Sequence, residues 1–257
     1  MKMNLHFEAV GEGPALIILH GLLGSADNWR AMSRRLGAHF KVYAVDLRNH
    51  GRSPHSDIFD YDVMTADLRK FTEQQALGGI RLLGHSIGGK VAMQFAIDYS
   101  ERVDRLVVVD IAPKPYEPSQ KSVLEALRSL DLRGYKSFAD VDAALAPKIS
   151  DGSVRQFLLK NLARDEHGRF GWKLDLEAIY RSYDKLARGL ASGRGFVKPT
   201  LFIRGGRSNY IEDGDAPLIR QIFPQAEIVT LPQAGHWVHA DRPDEFFQTV
   251  VNFLNRA

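Results

Sequence analysis

Gly84-His85-Ser86-Ile87-Gly88 places a serine between two glycines, with one residue on either side of it. Ahead of it runs Ile80-Arg81-Leu82-Leu83, a short apolar stretch of strand type. Behind it, Gly89 through Ala96 has helical spacing. A serine pinned between a strand and a helix sits on a tight, strained turn, and glycines two before and two after give that turn room. The plainer reading, a chance match in a glycine-rich turn, leaves both flanks unexplained. The chemistry such an elbow supports is acyl transfer, with the hydroxyl of Ser86 as nucleophile.

A serine hydroxyl is a poor nucleophile at neutral pH. It needs a base to take its proton and a group to orient that base. Nine histidines are present. His236, in Gln233-Ala234-Gly235-His236-Trp237, lies in a loop after the final strand-like run and is the candidate base. His239, three residues on, reads as structural or pocket-lining, and His20 as structural. The acid has more than one candidate. After the strand-like run at 199–204 the chain reads Gly205-Gly206-Arg207-Ser208, with serine where many such enzymes carry the acid. Asp213 and Asp215 follow, and Asp215 reads as a helix N-cap. Asp110 closes the apolar run Leu106-Val107-Val108-Val109 on the strand after the nucleophile. A carboxylate at a buried strand tip needs a partner, and an imidazole N–H supplies one. Asp110 is therefore the expected acid; the plainer alternative is a strand-end aspartate bonded to nearby backbone. Ser208 can assist at the imidazole or at Asp110, or be only a turn serine.

The developing oxyanion needs donors. The run 15–19 breaks into His20-Gly21-Leu22-Leu23-Gly24, and the backbone N–H of Leu22 can point into the site. The N–H of Ile87 opens the helix after Ser86, where helix donors have no partner. Asp46 through Ser53 reads as a tight polar turn that scaffolds the site, and Trp29, Tyr210 and Trp237 as candidate pocket walls.

These groups need a frame. Strand-like runs fall near 4–9, 15–20, 41–46, 80–85, 105–110, 199–204 and 226–231, and helical ones near 26–37, 61–76, 88–99, 215–223 and 243–255. Beyond an initial hairpin, the alternation argues for an α/β fold with a mostly parallel sheet covered on both faces. Between 113 and 197 it breaks. Pro113, Pro115 and Pro118 open a stretch without strong strand signals, with helices expected near 119–130, 137–146, 151–163 and 175–188. This all-helical insertion reads as a lid (113–197) on a core formed by 1–112 and 198–257. It would cover the sheet edge where α/β folds place ligands.

The 257 residues suffice for one large α/β domain. The absence of cysteine excludes disulfides and thiolate chemistry. A net charge of +3 is too small to argue for nucleic acid. The lid segment holds 15 Lys/Arg against 11 Asp/Glu, either a solvated helical surface or a mild attraction for anionic substrates. No apolar run reaches a membrane span, and no signal-peptide core opens the chain, so a cytoplasmic protein is expected.

Taken in order, His20 to Gly24, Asp46 to Ser53, Gly84 to Gly88 and Gly235-His236 resemble the α/β-hydrolase superfamily over nearly the whole chain. The narrower resemblance is to the YbfF-type esterases, relatives of the alpha/beta hydrolase domain 11 proteins. It is carried by Gly24 to Trp29, Asp46 to Gly51, Val109 to Pro113 and Gly205 to Ile211. That subgroup places its acid after the strand following the nucleophile, which supports Asp110, and the resemblance implies an assisting serine at Ser208. It also implies a serine hydrolase of carboxylic esters with small to medium acyl groups. Neither metal nor organic cofactor is implied, the partner is a small-molecule ester or thioester, and the expected state is a monomer or small homo-oligomer. Rival expectations are an acyl-coenzyme A thioesterase with the same three residues, and a hydrolase-fold binding protein with little turnover. Dehalogenase and epoxide hydrolase chemistry is disfavoured because the elbow holds serine rather than aspartate.

Overall fold

The computed structural model describes residues 3–190 and 193–256, so Met1, Lys2, Ala191, Ser192 and Ala257, where the expected segments 1–112, 113–197 and 198–257 touch them, lie outside the described residues. The core elements are β1 (Phe7–Val10), β2 (Ala15–Leu19), α1 (Arg30–Leu36), β3 (Lys41–Val45), α2 (Tyr61–Gln74), β4 (Ile80–His85), α3 (Ile87–Asp98) and β5 (Val103–Val109). An insertion follows, with α4 (Lys121–Arg128), α5 (Phe138–Leu145), α6 (Gly152–Leu159), β6 (Leu162–Arg164), β7 (Phe170–Trp172) and α7 (Leu176–Leu186). The core resumes with β8 (Thr200–Gly205), α8 (Ala216–Ile222), β9 (Ala226–Leu231), α9 (Val238–Asp241) and α10 (Pro243–Leu254).

Seven strands form one sheet in the order β1-β3-β2-β4-β5-β8-β9, parallel except for β1. The expected initial hairpin does not form. β1 pairs with β3, Phe7 opposite Val45, and β2 lies beyond it. β2 is apolar on both faces and its last four residues are buried, so it takes an interior place while the half-buried β1 takes the edge. Period-two alternation divides the strand side chains between two cores. Ile17, Leu19, Leu82, Val108 and Phe202 pack with α2, α3 and α8. Leu16, Ile18, Leu83, Val107, Val109, Leu201 and Ile203 pack with α1 and α10 on the other face. Both faces are therefore sealed, and the site is left to the strand ends.

The insertion is not all-helical. β6 and β7 form a two-stranded antiparallel hairpin, with Leu162 opposite Trp172. The spacing predicts a helix over 151–163, but α6 stops at Leu159. Leu162 and Phe170 turn into the core, and the Arg164 guanidinium lies over the Phe170 ring at 4.2 Å. Three-residue strands are too short to show alternation. The four insertion helices fall where expected, and three open on side-chain caps: Ser137 to Asp140 N–H, Asp151 to Ser153 and Val154 N–H, and Asp175 to Ala178 N–H. Among the described residues no helix is long and apolar enough to cross a membrane.

Candidate active site

The elbow is built as its glycines suggest. Ser86 sits at φ 54°, ψ −123°, a conformation that costs a non-glycine residue about 1–3 kcal/mol. A Cβ on Gly84 would lie 2.2 Å from the Gly88 carbonyl oxygen, and one on Gly88 would lie 2.4 Å from that of His20. Only glycine permits either approach. The Ser86 N–H donates to Val109 O at 3.0 Å, and the Asp110 N–H to Ile203 O at 2.8 Å. The ends of β4, β5 and β8 are thus stitched in register, and Ser86 and Asp110 follow directly from them.

Asp110 is fully buried, at φ 50°. Its Oδ1 accepts the Gly205 N–H at 2.9 Å. Its Oδ2 accepts the Ser208 hydroxyl at 2.5 Å and lies 2.8 Å from His236 Nδ1. Three donors surround a carboxylate that pairs with no lysine or arginine among the described residues, an arrangement that keeps a buried carboxylate satisfied. The other two aspartates lie elsewhere. Asp213 pairs with Arg204 at 2.6 Å. Asp215 pairs with Lys114 at 2.8 Å and accepts the Glu212 N–H. It takes the N-cap position of α8, as the sequence suggests, but makes no side-chain cap bond there, because its carboxylate is taken by these two partners.

The His236 ring is stacked on Tyr210, with centroids 4.0 Å apart and planes at 21°. The His85 ring lies 4.7 Å from it and places Nε2 2.9 Å from the His236 carbonyl oxygen. Burial pushes the His85 pKa well below its ordinary value. A neutral His85 facing a carbonyl carries its proton on Nε2, which fixes its tautomer. Burial also lowers His239, to about 3, and its ring stacks on Trp29 at 4.0 Å. His239 is a cavity wall.

Two neutral histidines fix the loop at Leu22. Burial lowers His20 to about 4 and His50 to about 3. His20 Nδ1–H donates to Gly21 O at 2.8 Å, and its Nε2 accepts the Leu47 N–H at 3.0 Å. His50 Nδ1–H donates to Arg48 O at 2.9 Å, and its Nε2 accepts the Leu23 N–H at 3.2 Å. The Leu23 carbonyl in turn accepts Asn161 Nδ2–H at 2.7 Å, from the insertion. Leu23 itself sits at φ 58°, so both sides of a strained residue are held. The neighbouring Leu22 N–H makes no hydrogen bond among the described residues. The Ile87 N–H is the first of α3 and has no acceptor within that helix. Both residues line a cavity with Ser86.

The turn at 46–53 is scaffold, as its composition suggests. Asp46 accepts the N–H groups of Ala26 and Arg52, at 2.7 and 2.9 Å. Arg48 forms a buried two-point pair with Asp67, at 2.5 and 2.8 Å. Within that turn the hold of His50 on Leu23 escaped sequence reasoning, and Asn161 escaped it altogether. Their partners lie 27 and 138 positions away, and no local spacing announces such contacts.

Two cavities meet at Ser86. One, of about 230 Å³, runs toward Tyr61, Lys90, Tyr116 and Tyr183. The other, of about 270 Å³, runs past His236 toward Trp29, Phe157 and Trp237. Leu22, Ser86, Gln120 and Tyr210 belong to both. Among the described residues no group of three or more His, Asp or Glu is arranged to hold a metal ion.

The sn-1-specific diacylglycerol lipase ABHD11 of Mus musculus is 39% identical over 251 residues, covering 94% of this chain and 81% of its own. Esterase YbfF of Escherichia coli is 30% identical over 259 residues, covering 99% and 100%. A solved structure described as a marine microorganism esterase superposes with a TM-score of 0.96 at 40% identity, covering 98% of this chain and all of that one. Residues 16–249 match the model of the alpha/beta hydrolase family. With a strained serine between β4 and α3 on a largely parallel sheet, and that match spanning most of the sequence, the chain belongs to the alpha/beta hydrolase family.

Proposed function

We propose that the chain is a serine hydrolase that cleaves carboxylic esters of small to medium acyl groups through an acyl-enzyme. Ser86 Oγ adds to the ester carbonyl carbon while its proton passes to His236 Nε2. Asp110 holds the Nδ1–H, so Nε2 is the acceptor, and it stabilises the imidazolium that forms. The Leu22 and Ile87 N–H groups receive the negative charge that develops on the carbonyl oxygen. The bond from carbon to the alcohol oxygen then breaks, and His236 returns its proton to that oxygen. Water repeats the sequence: it gives a proton to His236, attacks the acyl carbon and releases the acid, and Ser86 regains its proton. Ser208 supports the Asp110 carboxylate without adding charge. Residues 113–197 act as the lid, on a core of 1–112 and 198–257. The steps call on no metal or organic cofactor.

The observation that carries this reading is the Asp110–His236 contact of 2.8 Å, with His236 and a strained Ser86 lining one cavity. The relatives named as esterase and lipase support ester cleavage. The test is labelling by a fluorophosphonate probe together with turnover of a short-chain aryl ester. Wild type is expected to do both and Ser86→Ala neither. A folded wild type that does neither removes the proposal.

A further inference from the structure

The two cavities that meet at Ser86 have different walls, and proton transfer assigns them. In the tetrahedral adduct the carbonyl carbon carries Ser86 Oγ, the oxyanion, the acyl substituent and the leaving oxygen. The leaving oxygen takes its proton from His236 and so lies on the His236 side. His236, Trp237 and His239 line only the second cavity. Ile87 lines only the first, and Leu22 lines both. The acyl substituent, pointing away from His236, enters the first.

We infer that the arm toward Tyr61 and Lys90 receives the acyl group and the arm under Trp237 receives the alcohol. The substrate class is then an ester with a compact acyl group and a larger apolar alcohol. This rests on the triad reading above and names its substrate.

The walls fit that division. Among the residues that line the acyl arm, Lys90 is 1% exposed. Its ammonium donates to Lys114 O at 2.9 Å and to Arg188 O at 2.5 Å. The Tyr116 and Tyr61 rings lie 4.9 and 5.7 Å from Nζ. Burial lowers Lys90 to about 8, so it is charged at neutral pH. Held by two carbonyls and flanked by two rings, Lys90 cannot swing aside without breaking those contacts, so a growing alkyl chain meets a fixed, polar boundary. Among the described residues that line the other arm there is no lysine, arginine or carboxylate. Val123, Val154, Phe157 and Leu158 of the insertion form part of its wall, and Phe157 meets Trp237 at 5.1 Å. This lining is the kind that binds extended apolar groups.

The assignment is tested with two ester series, one lengthening the acyl chain on a fixed small alcohol, the other enlarging the alcohol on a fixed acetyl group. Each is run on wild type, Ala187→Phe in the first arm and Val154→Phe in the second. Ala187→Phe is expected to lower kcat/KM for the longer acyl groups by about tenfold relative to acetyl, leaving the alcohol ranking unchanged. Val154→Phe is expected to do the reverse. Crossed effects, or equal effects on both series in both variants, overturn the inference. A measurement without variants uses wild type bound to butylboronic acid, whose alkyl group occupies the acyl position on Ser86. A crystal structure with the chain beside Tyr61 supports the assignment, and a chain beside Trp237 overturns it. Failure of the triad reading shows separately, as turnover that survives Ser86→Ala.

Discussion

Asp110→Asn isolates the least routine member of the site. The carboxylate accepts from three donors: the Gly205 N–H, the Ser208 hydroxyl and His236 Nδ1–H. Asparagine supplies one accepting oxygen and one NH₂ group, so it cannot face all three as before. If its oxygen faces Gly205, the NH₂ faces His236. The imidazole must then accept at Nδ1, its proton moves to Nε2, and it can no longer take one from Ser86. If the oxygen faces His236, the NH₂ opposes the Gly205 N–H in a buried site, at about 1–3 kcal/mol. In either orientation the charge that stabilises the imidazolium is gone. A loss of about 10⁴ in kcat is expected, close to 5 kcal/mol of transition-state stabilisation, with KM little changed. The assay is steady-state hydrolysis of a short-chain aryl ester across pH, with circular dichroism to verify folding. Ser208→Ala removes one neutral donor to a charged acceptor and is expected to cost tenfold to a hundredfold, roughly 1.5–3 kcal/mol. A loss below tenfold in Asp110→Asn, or a crippling loss in Asp215→Asn, would refute the placement of the acid.

Three further outcomes follow from the geometry. Asn161→Leu strands the Leu23 carbonyl and is expected to lower kcat by about tenfold with KM nearly unchanged, and to weaken a boronic acid inhibitor in parallel; an unchanged kcat would show that the Leu22 loop holds without the insertion. Gly88→Ala sets a methyl group 2.4 Å from the His20 carbonyl oxygen, and little folded protein is expected by thermal unfolding or expression yield. His20 and His50 are neutral in the fold and take protons on unfolding below their ordinary pKa of 6.5. Their contribution is full above pH 6.5 and falls as pH drops toward about 4 and 3, by about 1.4 kcal/mol per pH unit for each group. Denaturant melts from pH 7 to 4 should show this slope, and its loss in His50→Gln would identify one source.

The sheet was legible because its central strands are apolar on both faces: Leu106 to Val109, Leu82-Leu83 and Ile17 to Leu19 have no polar residue to misplace. The position of Asp110 could be read because a carboxylate directly after such a run must find donors. The pairing of β1 with β3 was not, because a half-buried edge strand has the same pattern whichever neighbour it joins. The β6–β7 hairpin escaped because three residues carry no period. The anchoring of Leu23 by His50 and Asn161 was beyond local patterns altogether. It depends on where the insertion comes to rest, which is decided by packing across the whole molecule.

The two roots of the insertion lie side by side. The Tyr116 N–H donates to Ala187 O at 2.7 Å, and the Leu190 N–H to Pro113 O at 3.0 Å. Lys90, one turn beyond the nucleophile, fastens both roots through Lys114 and Arg188. Chain that leaves and re-enters a scaffold at one point can change in length or sequence without shifting β5 or β8, because its ends need not move apart. The insertion is thus an exchangeable cassette on a fixed engine. Grafting another family member's segment between Pro113 and Leu190 is expected to alter which esters fit while Ser86, Asp110 and His236 stay where they are, provided the lysine keeps its two carbonyls and an amide still reaches Leu23.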